Sequence, residues 1–444
     1  MSSPDPRHRP RRLTLLSLAV IVALLVAACG SAAPSATPTA SATPVSSPTT
    51  TPTAAPSGSA VAPSASADAA TDAIYDAIEA QVAEIRGLKA SRPVERQIIS
   101  EAELRSMITE QFDKETPAEY LAANERLYKA LGLIPADTSL RDLTLDLLGG
   151  GVVGFYRDDQ GKLYVVSKTG APGANERFYF AHEYDHALQD QNFTVFKDQD
   201  GILDQGDRLL ARQAVYEGDA TLTMTQWAAA NLTAADLREI IAASADPEVA
   251  AMLARIPAIL RTPLEFPYTR GFTFVGAVNS TGGWDAVNDF YDRMPESTEQ
   301  ILHPEKYAAA EAPVKVELPS DLAKRLGAGW TVPLQDTFGE LQTDIWLREG
   351  GVAPPAAEAA AAGWGGDRLV VMEGPGGTWA VAMRSAWDTT ADAAAFEAAA
   401  KTAVKKASGV AQVLPGDGGK TRWVIVANDQ ATFGLVTNAL GLAG

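Results

Sequence analysis

Two histidines four residues apart, in His182-Glu183-Tyr184-Asp185-His186, constrain this chain more tightly than any other feature. They lie within 177–190, a stretch free of glycine and proline, which predicts a helix opened by Asn175 as its N-cap. On a helix, residues i and i+4 share a face, so both imidazoles can aim a ring nitrogen at one point. Phe180, Ala181, Tyr184, Ala187 and Leu188 give the same helix an apolar surface for the core to cover.

Convergent imidazoles at this spacing are the first half of a zinc site. Zinc takes imidazole nitrogen at about 2.0–2.1 Å, and catalytic sites use three protein ligands with a fourth position open. Glu183 follows His182 by about a quarter turn, off the ligand face, where a carboxylate can take a proton from a water beside the ion and return it to a leaving amine. Histidines on a helix are often only hydrogen-bonded core or surface residues. Here, though, the chain has four histidines in all, and two of them form this pair.

The third ligand is the open question. A three-histidine arrangement, HExxHxxGxxH, is excluded because Gln189 and Asn192 stand where the glycine and the last histidine belong. The next glutamate is Glu217, inside a predicted helix over 207–227 whose small residues Ala214, Gly218 and Ala220 allow a close approach to the first helix. Asp198, Asp200, Asp204 and Asp207 are competing oxygen ligands in a polar connection. His182, Glu183, His186 and Glu217, the last in a Glu-Gly-Asp-Ala context, resemble the gluzincin metallopeptidases, the thermolysin-like branch of the zincins, over roughly residues 150–230. That resemblance implies zinc (Zn2+) held by His182, His186 and Glu217, with Glu183 as the general base of peptide-bond hydrolysis. The aspartate that such enzymes place four residues after the glutamate is Thr221 here, with Asp219 as the nearest substitute. Enzymes of this kind also use a His or Tyr to hydrogen-bond the oxyanion. His303, the only other histidine after the leader, is the candidate, with Tyr268 the weaker one.

The predicted fold is α+β. A mainly helical, zincin-like domain over 71–349 carries a small antiparallel sheet, built from a hairpin of 152–156 and 162–166, whose edge could receive a substrate strand. Helices are predicted over 71–88, 100–111, 116–131, 233–244 and 248–260, several opened by capping boxes such as Ser100-Glu101-Ala102-Glu103. An Ala/Pro-rich break at 350–362 precedes a C-terminal domain, 363–444, with the order β-β-α-β-β-α; Gly363-Trp364-Gly365-Gly366-Asp367 at its entrance predicts a turn.

The chain opens with Arg7, Arg9, Arg11 and Arg12 ahead of an apolar run over 13–28, the pattern of a secretory signal peptide. The run ends Leu25-Val26-Ala27-Ala28-Cys29, which looks like a bacterial lipobox, and Cys29 is the only cysteine. This predicts cleavage after residue 28 and lipid attachment at Cys29. A Ser/Thr/Ala/Pro-rich linker over 29–70 would then lift the folded part off the extracytoplasmic face of the membrane. A net charge of −18 disfavours nucleic acid as a partner. No GxSxG or SxxK sequence is present. The expected function is zinc-dependent cleavage of a peptide or protein substrate; the alternative is a zinc-binding or scaffold lipoprotein without catalysis.

Overall fold

The computed structural model describes residues 65–148, 154–166, 172–193, 200–245 and 247–442. The signal sequence, Cys29, most of the linker and the start of the expected hairpin at Val152 and Val153 lie outside these residues. Among the described residues no helix is long and apolar enough to cross a membrane.

The architecture is α+β, as expected. Helix α1 (Ala65–Arg86) leads to strand β1 (Glu95–Ile99), then to helices α2 (Glu101–Glu115), α3 (Ala118–Ala130) and α4 (Leu140–Leu148). Strands β2 (Gly154–Arg157) and β3 (Lys162–Val166) form the predicted hairpin, which feeds α5 (Ala174–Asn192) and α6 (Gly206–Asn231). Helices α7 (Ala234–Ser244), α8 (Pro247–Leu253), α9 (Ala258–Phe266) and α10 (Phe272–Asp292) follow, with a π-helical turn, Pro267–Gly271, between the last two. The helix expected over 248–260 is two helices, because Pro257 takes an extended ψ of 143° at the junction and is the N-cap of the second.

The small sheet has the order β1-β3-β2 and is mixed rather than antiparallel. β1 runs parallel to β3, with Glu95 opposite Lys162 and Ile99 opposite Val166. Three helices lie between β1 and the hairpin, and a parallel neighbour needs a long crossover of that kind. As an edge strand with mostly exposed polar residues, β1 carries little alternation for a sequence reading to find.

The C-terminal sheet is antiparallel, in the order β4-β5-β6-β8-β7. Short helices α11 (Thr298–Leu302), α12 (Pro304–Ala308) and α13 (Leu322–Leu326) precede β4 (Thr331–Asp336), then come α14 (Gly339–Glu349), α15 (Pro354–Ala361), β5 (Trp364–Glu373), β6 (Trp379–Trp387), α16 (Thr390–Ala403), β7 (Val410–Pro415), β8 (Thr421–Ala427) and α17 (Gln430–Ala439). The predicted β-β-α-β-β-α order is present, with β4 as an additional strand paired to β5. The 350–362 segment contains a helix, since Pro354 and Pro355 occupy its permissive first turn and Ala357, Ala360 and Ala361 are buried. Residues 364–367 begin β5 instead of turning; a Cβ on Gly366 would lie 2.2 Å from the Val314 carbonyl oxygen, so the glycine admits a chain passing alongside.

Both faces of this sheet are covered. Leu369, Val371, Val381, Met383, Val424 and Val426 pack into the main core with Trp346 and Phe396. Their alternates Val370, Met372, Ala380, Ala382, Ile425 and Ala427 pack beneath α13 and α17. That two-sided burial is why the strands are almost uninterruptedly apolar. The main core runs from Ala123 and Leu127 of α3 through α6, α9 and α10 to α16, so it is continuous across residues 350–362.

Candidate metal centre

Helix α5 is buried from Phe178 to Gln189 without a break, and α6 from Gln213 to Met224. Glycine 173, rather than Asn175, is the N-cap of α5; its N–H donates to Glu176 Oε2 at 2.8 Å. A helix buried all round must pair every polar group it carries. Across the two helices, His182 and His186 face Glu217, and Gln189 donates to the Tyr216 carbonyl. Close approach at this level is permitted by small residues: a Cβ on Gly218 of α6 would meet the Gly271 backbone at 2.5 Å. This contact brings the π-helical turn, and Tyr268 with it, against α6.

The predicted ligands converge. His182 Nε2 and His186 Nε2 are 3.1 Å apart, and each lies 3.2 Å from Glu217 Oε2. Tetrahedral bonds of zinc length place neighbouring ligand atoms about 3.3 Å apart, so the three atoms sit at the corners of one face of such a tetrahedron. All three side chains are fully buried. His186 Nδ1 faces Gln189 Oε1 at 3.1 Å, an acceptor, which places a proton on Nδ1 and makes Nε2 the nitrogen offered to the group. Two imidazole nitrogens and a carboxylate oxygen at these distances form a set that either a proton on His186 or a cation can hold together. Burial alone would lower His186, but the Glu217 charge outweighs it and pushes the metal-free imidazole up to about 10. His182 is lowered by burial, against the raising effect of Glu217 and of the Ala220 backbone. Glu217 is held below the usual carboxylate range by the imidazoles, chiefly His186, despite its burial. The donor set therefore fits zinc.

Glu183 stands next to this group. Its Oε2 accepts the Tyr156 N–H of β2 at 2.8 Å, and its Oε1 is buried without a partner. β2 is an edge strand, as the sequence suggested, but the described edge donor at Tyr156 is spent on orienting Glu183. Burial pushes the Glu183 carboxyl well above its ordinary range. Tyr268 packs its ring 6.1 Å from His182, and burial followed by the charges of Glu217 and Glu183 pushes its phenol up.

The remaining candidates go elsewhere. His303 is not brought to the ligands: its Nε2 lies 2.9 Å from Glu340, and it lines a separate cavity of about 320 Å³ with Glu265, Thr269 and Arg270. Asp207 accepts from Thr298 Oγ1 at 2.6 Å, and Asp204 pairs with Arg368. Asp198 lies outside the described residues. Asp219 turns from the imidazoles to Arg86, at 2.8 and 2.9 Å, and to the Tyr291 hydroxyl at 2.6 Å. The Thr221 hydroxyl has no hydrogen-bond partner. Two participants went unpredicted: Gln189, legible only as a polar residue one turn past His186, and Arg86, which carries no sequence signal. A second acidic group, Glu299, Glu311 and Asp388, surrounds Lys306 Nζ at 2.6–2.9 Å, so an ammonium already answers its charge.

Residues 325–438 match the family model of a domain of unknown function (DUF8575), which spans the C-terminal sheet and none of the metal-site residues. No curated protein matches the chain. A solved structure from Chloroflexus aurantiacus, described as a "putative hydrolase with a novel fold", is 17% identical, covering 56% of this chain and 92% of that one with a TM-score of 0.36. Overlap at that level establishes neither fold nor chemistry.

Proposed function

We propose that this chain is a zinc-dependent hydrolase of peptide bonds, tethered by lipid on Cys29 at the extracytoplasmic face of a membrane. The observation that carries the reading is the triangle of His182, His186 and Glu217, at 3.1–3.2 Å, with the unpartnered Glu183 carboxylate oxygen beside it. His182, His186 and Glu217 would hold the ion, leaving one position open. Zinc there would polarise the scissile carbonyl and acidify water.

The chain's own groups do the rest. Glu183 is held by one oxygen to the Tyr156 N–H, and its other oxygen is free to take a proton from the attacking water and deliver it to the leaving amine. Its raised proton affinity suits that shuttle. The Tyr268 phenol, protonated throughout the physiological range and hydrogen-bonded to Glu217, would redirect its proton to the oxygen that gains charge on the substrate carbonyl. Tyr268 thus takes the role first considered for His303. Peptide as the substrate class rests on the HExxH-and-glutamate pattern, and the tether on residues 1–29 alone.

Complete burial of the four side chains is the observation favouring the alternative, a zinc-binding lipoprotein without catalysis. Cleavage of casein or a peptide mixture by the zinc-loaded chain separates the two. The expected result is hydrolysis that falls by about 10²–10⁴ in Glu183→Gln while zinc is retained; full activity in that variant would contradict the assignment of Glu183.

A further inference from the structure

We propose that Gln189 is the positioning residue of the metal centre, holding His186 in the Nδ1–H form and tying its ring to the backbone next to Glu217. The inference rests on the zinc reading above and adds the group that orients the ligands, a task neither Thr221 nor Asp219 performs.

Gln189 lies three residues after His186 on α5 and is fully buried. Its Nε2 donates twice, to Asp185 Oδ2 at 2.9 Å and to the Tyr216 carbonyl at 2.9 Å. A main-chain carbonyl can only accept, so the amide nitrogen must face it, and the amide orientation is thereby fixed. Oε1 is left facing His186 Nδ1 at 3.1 Å. The ring must donate there, which presents Nε2 as a lone pair to the ion. A ligating imidazole commonly has its second nitrogen held in this way by a carboxylate or carbonyl. Here the acceptor is an amide, and the amide adds what a carboxylate cannot, a donor for the chain segment that carries the third ligand. Tyr216 immediately precedes Glu217, so one side chain sets both the ring of His186 and the height of Glu217 on the neighbouring helix.

The far side of the amide is anchored as well. Asp185, which accepts from Gln189, lies 4.0 Å from Arg86 Nε, and Arg86 is clamped by Asp219 and stacked 4.5 Å over Trp284. The arrangement runs from α1 through α6 to the ligand on α5. Gln189 is its only link to an imidazole through a hydrogen bond among the described residues.

Gln189→Met keeps the length of the side chain and removes every hydrogen bond. We expect zinc affinity, measured by competition with a chromophoric chelator, to fall about 10–100-fold relative to the wild-type chain, with the circular dichroism of the metal-free protein retained. A dissociation constant within twofold of wild type in folded Gln189→Met would overturn the inference. Should that variant not fold, two-bond ¹⁵N–¹H spectra of histidine-labelled, zinc-loaded wild type decide: protonated Nδ1 with zinc on Nε2 of His186 is expected, and zinc on Nδ1 overturns it. A wild-type chain that binds no zinc would instead sink the zinc reading itself.

Discussion

At the scale of single residues, the site is a problem of placing protons among fully buried side chains. Glu183 and Glu217 are both buried carboxylates, yet their surroundings drive them apart: Glu217 is kept ionised by two imidazoles, while Glu183 is pushed well up by burial. Divergence of this kind between neighbouring acids is how one fold assigns one group to hold charge and another to move a proton. Tyr268 belongs to the same scale. Removing its hydroxyl leaves the three ligand side chains in place, takes one hydrogen bond from Glu217 and deletes one donor to the developing oxyanion. We expect Tyr268→Phe to lower kcat by about 10–10³-fold with zinc content unchanged. Unchanged kcat in steady-state peptide hydrolysis would remove Tyr268 from the mechanism.

At the scale of elements, the site depends on how closely α6 meets the π-helical turn that carries Tyr268. A Cβ on Gly218 would approach the Gly271 backbone at 2.5 Å, and one on Gly271 would approach the Ala214 carbonyl oxygen at 2.1 Å. Alanine is favoured over glycine in a helix interior by about 1 kcal/mol, but here the obstructing atoms are backbone and cannot swing aside. Overpacking of that kind costs about 1–3 kcal/mol, so the clash should win. Gly218→Ala is expected to lower the melting temperature by several degrees in a calorimetric scan; a raised one would show that the helices can separate without loss. The same elements explain how much was legible beforehand. His182 and His186 could be brought together from spacing, because helical periodicity fixes which residues share a face, whereas Ala214 and Gly218, expected to admit α5, meet the turn at Gly271 instead. The hairpin and the succession of strands and helices after residue 363 were likewise legible from their apolar runs, though not β4. Strand β1 was not, since an exposed edge needs no alternation. The helix within 350–362 was hidden by prolines that a first turn tolerates. His303 drew attention through its rarity, and rarity says nothing about where a side chain is held. Gln189 escaped because its role lies in the direction of an amide, set by Tyr216 of another helix.

At the scale of the whole molecule, the core does not respect the break in composition at 350–362. Trp346 and Leu347 of α14 are fully buried in the same cluster that holds Leu127 of α3 and Phe396 of α16. The C-terminal sheet begins before that break, with β4, and the DUF8575 match, starting at residue 325, begins ahead of β4 too. The metal site lies in the other principal cluster, where α1, α5 and the hairpin pack with Tyr268. Arg86, at the end of α1, carries that packing into the polar network behind His186. The chain thus buries the His182, His186 and Glu217 group by surrounding it with helices from distant parts of the sequence. Catalysis, ligand orientation and the pairing of these charges all require that His182, His186 and Glu217 hold one metal ion. Elemental analysis of the purified full-length chain after zinc loading and dialysis tests it most directly. The account predicts about one zinc per chain, falling close to zero in folded Glu217→Ala; a wild-type chain without zinc, or a Glu217→Ala chain that keeps its full complement, would contradict it.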